Sequence, residues 1–145
     1  MARLNPNYIQ TITLWNCLKA VDNPAANVDA WYKTILPDCF FKVVTAQVNS
    51  GFNSQMSGAY AVRIPKSATY LSYAEWVAKA ANLRDGFFTM RNDDIVILGT
   101  TADMITSLSP NTATQILSKN KPNAFKVTAC SDNSGGFQGH YRLGG

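Results

Sequence analysis

The run Asp94-Ile95-Val96-Ile97-Leu98-Gly99 decides the fold class of this chain. A short block of β-branched residues that ends at a glycine is typical of a β-strand followed by a turn. A second run, Tyr60-Ala61-Val62-Arg63-Ile64-Pro65, places its apolar residues on one face and ends at a proline, which cannot donate a hydrogen bond to a neighbouring strand. Both runs predict strands of an all-β domain.

Similar patterns recur along the chain. Residues 31–36 and 39–44 are rich in aromatic and β-branched side chains and predict an antiparallel hairpin that is interrupted at Pro37-Asp38. Residues 87–90 predict a strand that turns back antiparallel into residues 94–98. Further strands are expected at residues 10–16, 125–129 and 137–143.

Two short helices complete the predicted architecture. Ser72 and Glu75 have the spacing of a capping box at the start of a helix over residues 72–82, and a second helix is expected over residues 111–119, before Pro122. The chain is therefore predicted to be mainly β, a small β-barrel or sandwich with one or two short helices. Its length of 145 residues suits one hydrophobic core, so residues 1–145 are expected to form a single domain.

Charge and hydropathy exclude several classes of protein. Thirteen basic and nine acidic residues give a net charge of +4, but the basic residues are scattered singly from Arg3 to Arg142. Charge alone therefore does not favour a dedicated DNA-binding protein. The N-terminus lacks the apolar region of a signal peptide, and no stretch approaches the roughly 18 apolar residues of a membrane helix. We expect a protein that is made and kept in the cytoplasm, without membrane association.

No motif supports catalysis. Asp93-Asp94 is the only adjacent carboxylate pair, and next to Asn92 it is better explained by a turn than by a metal site. His140 is the only histidine and is expected to be a surface residue, since the chain has no GxSxG elbow. Ser134-Gly135-Gly136 lacks the Lys and Ser/Thr of a phosphate loop and is read as a turn. We predict that the chain is not an enzyme.

The cysteines do not indicate a bound metal or a disulfide framework. Cys17, Cys39 and Cys130 are odd in number and widely spaced, so small buried thiols are the favoured interpretation. A structural zinc site needs a CxxC pair or further histidines. We predict no metal and no cofactor.

The longest uncharged stretch of the chain runs from Val43 through Val62. Its centre is polar and carries glycines, which predicts a long inserted loop at about residues 45–59. Long loops in compact domains are often functional or mobile, so this one is either a floppy hairpin tip or an interaction loop. The candidate channel or interaction residues in it are Asn49, Phe52, Asn53, Gln55 and Met56.

Several segments, taken together and in this order, resemble a known family. They are residues 60–65, 70–76, 88–90, 93–99 and 140–145. In them the chain resembles small neck proteins of tailed bacteriophages that infect Clostridium-like Gram-positive hosts, and more closely their minor capsid or head-closure (stopper) proteins. The similarity covers most of the chain, and its motifs are structural.

The resemblance implies a structural virion protein of the neck, assembled in the host cytoplasm. In that family a small β-barrel with a long inserted loop forms a ring, commonly of six copies, between the portal or adaptor protein and the tail. The ring closes the DNA-filled head and docks the tail. The implied partners are further copies of the chain, the portal or adaptor protein, a tail terminator or other tail proteins, and double-stranded DNA that passes without sequence-specific binding.

The termini provide a second candidate interface. Short arms that carry Arg3 and Tyr8 at one end, and Tyr141 and Arg142 at the other, could reach adjacent subunits and become ordered on assembly. Plain disorder of the termini is the alternative.

Two other functions remain open at this stage. One is a monomeric nucleic-acid-binding β-barrel, for which the many aromatic residues would supply stacking surfaces, although their mostly apolar or small polar neighbours favour core packing. The other is a different neck or tail component, such as a tail terminator.

Overall fold

The structure is a computed structural model that describes residues 8–23, 28–50, 53–106, 108–121, 123–136 and 139–145. In these residues the chain forms a mainly β fold, as the sequence predicts. The strands are β1 (Gln10–Leu18), β2 (Ala30–Ser50), β3 (Asn53–Pro65), β4 (Ile95–Leu98), β5 (Ala124–Lys126), β6 (Ala129–Asn133) and β7 (His140–Gly144). The helices are α1 (Tyr73–Ala78), α2 (Ala81–Arg84) and α3 (Ala113–Asn120), with a 3-10 turn at Ala20–Asp22. None of these helices has the length and apolar character that a membrane span requires.

All seven strands belong to one antiparallel sheet in the order β5-β4-β1-β2-β3-β7-β6. The two end strands, β5 and β6, do not pair with each other, so strand pairing does not close the sheet into a barrel. They are consecutive in the chain, however, with only Val127 and Thr128 between them. The Val127 amide donates to the Asp94 carbonyl on one side (2.7 Å), and the Thr128 amide donates to the Gly144 carbonyl on the other (2.8 Å). One short stretch of chain thus connects both ends of the sheet.

The sheet curls around the main hydrophobic core. Side chains from strands at both ends of the sheet meet there, and the rings of Tyr60 on β3 and Phe125 on β5 stack at 4.7 Å between centroids. Alternation along β3 and β7 aims Val62, Ile64 and Leu143 inward, where they are almost fully buried. The buried members of this core are Ile12, Leu14, Cys39, Phe41, Val62, Ile64, Phe88, Met90, Val96, Phe125, Val127, Tyr141 and Leu143.

A second, smaller core lies on the outer face of β1 and β4. Trp15, Ile95 and Ile97 point away from the main core and are covered by Ile116 of α3 and by Ile105. Helix α3 begins with a capping box, in which the Thr112 side chain and the Gln115 side chain each bond the other residue's backbone amide. This helix agrees with the prediction for residues 111–119.

The predicted hairpin at Pro37-Asp38 is wrong, because residues 30–50 form one long strand. The first part of β2 pairs with β1 as far as Cys39, and the second part pairs with β3 from Phe40 onward. At the change of partner the register shifts and Asp38 adopts a left-handed φ of 56°. Proline lacks an amide hydrogen and is tolerated at such a bulge. The sequence signal therefore marked a bend within a strand and not a turn between two strands.

The inserted loop predicted at about residues 45–59 is also wrong. Residues 44–50 of β2 and 53–59 of β3 pair with each other in an unbroken antiparallel register, from Val44 opposite Ala59 to Ser50 opposite Asn53. Polar residues and glycines of low strand propensity form this ladder because they extend two strands whose register the core already fixes.

The region before β4 differs from the prediction as well. Residues 87–90 do not pair with β4, whose partners are β1 and β5, and Phe88 forms only an isolated parallel bridge to Tyr70. The helix predicted over residues 72–82 begins where expected, with Ser72 accepting a hydrogen bond from the Glu75 amide (3.4 Å). It ends at Ala78 and is followed by the separate short helix α2.

A buried arginine holds the end of α1. Arg84 is only 5% exposed. Its guanidinium donates to the carbonyls of Trp76 (3.1 Å), Val77 (2.9 Å) and Lys79 (2.6 Å) and to the Tyr32 hydroxyl (2.9 Å). The guanidinium also lies 5.2 Å and 5.3 Å from the ring centroids of Tyr32 and Trp76. The planar fork donates to the carbonyls at the helix end, including that of Trp76, which also accepts from the Lys79 amide, and it stabilises the negative end of the helix dipole.

We predict that Arg84→Lys destabilises the fold by about 2–3 kcal/mol, because a single ammonium cannot replace a fork that reaches three carbonyls and a hydroxyl. Urea denaturation measures the free energy of unfolding. The matched control is Arg142→Lys at an exposed position of β7, where the expected change is within about 0.5 kcal/mol. Equal losses in the two variants would contradict the role of Arg84.

Candidate functional site

The most distinctive feature of the surface is a two-stranded ribbon formed by residues 44–50 and 53–59, which we call the β-ribbon. The neighbouring strands stop before it: β7 pairs with β3 only as far as Ala61, and β1 pairs with β2 only as far as Cys39. At about 3.3 Å per residue the β-ribbon extends roughly 20 Å beyond the pairing with β7. In the part of the chain that the structure describes, no third strand pairs with either of its edges.

Four of the five candidate interaction residues lie together in the outer part of the β-ribbon. Asn49 is opposite Ser54, and Asn53 is opposite Ser50, next to the end of the ribbon. Gln55 and Met56 follow on β3. Phe52, the fifth candidate, lies outside the described residues. The structure thus groups the predicted residues in space but places them on strands instead of a loop.

The C-terminal arm predicted at Tyr141 and Arg142 is wrong, because these residues belong to β7, which is paired between β3 and β6. Tyr141 is 3% exposed and its ring stacks on Tyr70 at 4.2 Å between centroids, while Arg142 is exposed on the outer face. The end of the chain is held by paired hydrogen bonds between Tyr60 and Gly145, of 2.9 and 3.3 Å.

The N-terminal arm is corrected in part. Tyr8 is buried, with its ring centroid 6.3 Å from that of Phe40, so it is a packed residue and not a free arm. Arg3 lies outside the described residues. Neither terminus therefore supplies a described arm that could reach another subunit.

The sequence reading missed the most strongly perturbed acid in the described chain, Asp94. Its carboxylate is buried and accepts hydrogen bonds from the Asn16 side-chain amide (2.9 Å), the Cys17 backbone amide (3.0 Å) and the Arg91 backbone amide (3.0 Å). Asn16 also bonds both backbone groups of Thr89, at 2.7 and 3.2 Å. This network ties β1 to the segment that precedes β4. An Asp in a turn-like sequence gave no signal that it would be buried.

Burial raises the pKa of Asp94 to about 7, while the hydrogen bonds from Cys17, Asn16 and Arg91 oppose that shift. A buried carboxyl with a raised pKa is a common property of catalytic acids. Here the donors around it are backbone amides and a side-chain amide that hold three segments together, so its geometry is that of a structural anchor.

The neighbouring Asp93 forms the turn that the sequence predicted. It adopts a left-handed φ of 80°, and its carboxylate lies 3.7 Å from the Lys19 ammonium and 3.6 Å from the Lys126 ammonium. Such partly exposed ion pairs contribute little to stability. Among the described residues, no three His, Cys, Asp or Glu side chains are grouped closely enough to hold a metal ion.

The prediction of buried thiols holds for two of the three cysteines. Cys17 and Cys39 are buried, and burial raises the pKa of each to about 12, so both remain thiols at neutral pH. Cys130 is exposed, which makes the prediction wrong for that residue: it lies on β6, which among the described strands is an end strand that pairs with β7 alone.

We predict that the stability of the protein falls as the pH rises from about 4 to about 7. In this interval the folded state keeps the Asp94 proton, whereas the unfolded state has released it. Each unit of rising pH therefore lowers the free energy of unfolding by at most about 1.4 kcal/mol. Urea denaturation at a series of pH values measures this slope. Asp94→Asn is expected to remove the contribution and to cost about 1–3 kcal/mol at low pH, since its amide group must face a buried N–H donor.

The control for this series is Asp85→Asn, which removes an exposed carboxylate after α2 and should leave the slope unchanged. A slope that persists in Asp94→Asn would contradict the assignment to Asp94.

The comparisons with known proteins give one family. A model described as "Family of unknown function (DUF6751)" matches residues 8–145. Neither the comparison with curated proteins nor the comparison with solved structures found a match. Because the matched range includes every strand and helix of the fold, the chain belongs to this family of unknown function.

Proposed function

We propose that this chain is a structural protein of the neck of a tailed bacteriophage, which assembles as a ring between the portal or adaptor protein and the tail. The ring would close the DNA-filled head and dock the tail. The resemblance to head-closure proteins suggests this role, and the observation that supports it best is the β-ribbon.

The β-ribbon has the properties of a segment that another protein covers. A two-stranded ribbon on its own is marginally stable in water, and its edges present unpaired amide and carbonyl groups. Monomeric proteins usually protect such edges with charged residues, bulges or prolines. The β-ribbon has none of the four charged residue types, since the chain carries no Asp, Glu, Lys or Arg between Val43 and Val62. A neighbouring copy in a ring would cover its edges.

A ring also needs two different surfaces that fit each other, because closed cyclic assemblies are built from heterologous contacts. The β-ribbon would supply one of them. The second would lie on the body of the next copy, where interface cores favour aromatic and apolar residues over charged ones. An uncharged ribbon near the channel would obstruct DNA mechanically without holding its phosphates.

The competing functions differ in what they require of the β-ribbon. A monomeric nucleic-acid-binding barrel would need no self-assembly. A tail terminator or another neck component would also form a ring, but it would bind tail proteins in place of the portal or adaptor protein.

We predict that the purified chain forms rings, alone or on the portal protein, and that this property depends on the β-ribbon. In the test variant, residues 46–57 are replaced by Asn-Gly, which joins the paired residues Thr45 and Gly58 through a two-residue hairpin turn. Native mass spectrometry and sedimentation should show assembly of the wild type and a folded monomer for the variant. Assembly of both proteins alike would contradict the proposal, and so would a wild type that stays monomeric with the portal protein present.

A second prediction concerns the virion. Deletion of residues 49–58 should give heads that leak DNA or fail to join tails, which electron microscopy and nuclease protection of the packaged DNA would detect. Normal infectious particles would argue against a function of the β-ribbon in head closure.

A further inference from the structure

Among the described residues, the second core covers one half of the outer face of the sheet, and on the other half the Tyr8 ring lies 6.3 Å from that of Phe40. Over β1 and β4 it is sealed by the second core, which includes residues of α3. That core has no member from β3, β6 or β7. On this other half lie Lys42, Arg63 and Arg142, all exposed, together with the half-buried Phe40. We call these four residues the basic face.

Strand registry brings the basic face together. Arg63 on β3 lies directly opposite Phe40 on β2 and Arg142 on β7. Its guanidinium carbon is 5.6 Å from the centroid of the Phe40 ring. Lys42 lies two residues beyond Phe40 on the same strand and therefore on the same face. Three cations on three adjacent strands thus form one cluster.

The basic face holds three cations and no carboxylate, and the nearest acid on β2 is Asp38, two residues before Phe40. No outward position of β3, β6 or β7 that shares this face holds a carboxylate: the residues there are Ala61, Arg63, Pro65, Ala129, Ser131, Asn133, His140, Arg142 and Gly144. In the described part of the chain, the ion pairs involve Lys19, Lys119 and Lys126, and none includes a member of the basic face. Like charges directly opposite each other on neighbouring strands are destabilising. The Arg63–Arg142 pair therefore costs stability that an anionic ligand would recover.

From this arrangement we propose that the basic face contacts the phosphate backbone of duplex DNA. Neighbouring antiparallel strands are about 5 Å apart, so two guanidinium groups can bond one phosphate or two successive phosphates. The Phe40 ring supports the Arg63 guanidinium while leaving its outer N–H groups available. Contacts to phosphate oxygens carry no sequence information, so the proposed binding is independent of sequence.

Phosphate fits this face better than an acidic protein does. Tight protein contacts need a dry apolar centre around their charged residues. Phe40 is the one apolar member of the basic face; the Arg63 guanidinium lies over its ring, and the ring of Tyr8 beside it is itself buried. This inference does not depend on ring assembly, because a ring component and a monomer would both present the same face.

The test measures binding of a fluorescent mixed-sequence duplex of about 20 base pairs by anisotropy, over a series of salt concentrations. The test variant is Arg63→Gln with Arg142→Gln. The control, Lys119→Gln with Lys121→Gln, removes the same charge from the end of α3. All four side chains are exposed, so both variants should fold, which circular dichroism checks. The test variant should lose about tenfold or more in affinity at low salt, and the slope of log K against log salt should become shallower by about 2. The control should keep the wild-type slope.

Three results would overturn the proposal. The first is the absence of salt-dependent DNA binding by the wild type. The second is an equal loss in the test variant and the control, since that would reflect net charge only. The third is stronger binding of a polyglutamate peptide than of DNA, lost in the test variant, which would assign the face to an acidic protein.

Discussion

The two ends of the sheet are held together by one stretch of backbone, the ten-residue segment from β5 to β6. Its first part pairs with β4 and its second part with β7, so the sheet must curl until the two ends meet at Val127 and Thr128. The curl creates a single interior in which Tyr60 and Phe125, from strands far apart in the sheet, can stack. Among the described residues, no other strand is long enough to follow the β2–β3 pair, so the far end of that pair has no neighbouring strand.

Asp94 lies at the corner where this segment meets β4. Its backbone carbonyl accepts from Val127, and its carboxylate accepts from Asn16, Cys17 and Arg91. Burying a carboxylate is unfavourable unless its oxygens find donors. Three donors from two segments meet that condition, and they fix the angle at which β1 approaches β4. The raised pKa of Asp94, a property that catalytic acids often share, therefore follows from its burial at this corner.

Features set by local sequence were predictable, and features set by distant contacts were not. Strand β4 and helix α3 could be predicted because a β-branched run and a capped helix depend on neighbours within a few residues. The bend at Pro37 was predicted to be a hairpin, because proline occurs both in turns and at β-bulges. Only the partner strands distinguish the two cases. The pairing of residues 45–50 with residues 53–58 depends on a strand register that the core fixes farther along the same two strands. The burial of Asp94 depends on donors more than 70 residues away along the chain.

The distribution of charge over the surface separates two kinds of contact. The β-ribbon carries no charge over its whole length, whereas Lys42 and Arg63 begin the charged surface at its base on β2 and β3. If the cations served only solubility, they would protect the exposed ribbon edges first, since that is where a sheet is most prone to association. Three of the cations lie instead on the face at the base of the ribbon, where Arg63 and Arg142 belong to strands that are paired on both sides. This separation is what the two proposals require: association of the ribbon through its backbone, and interaction of the basic face through charge.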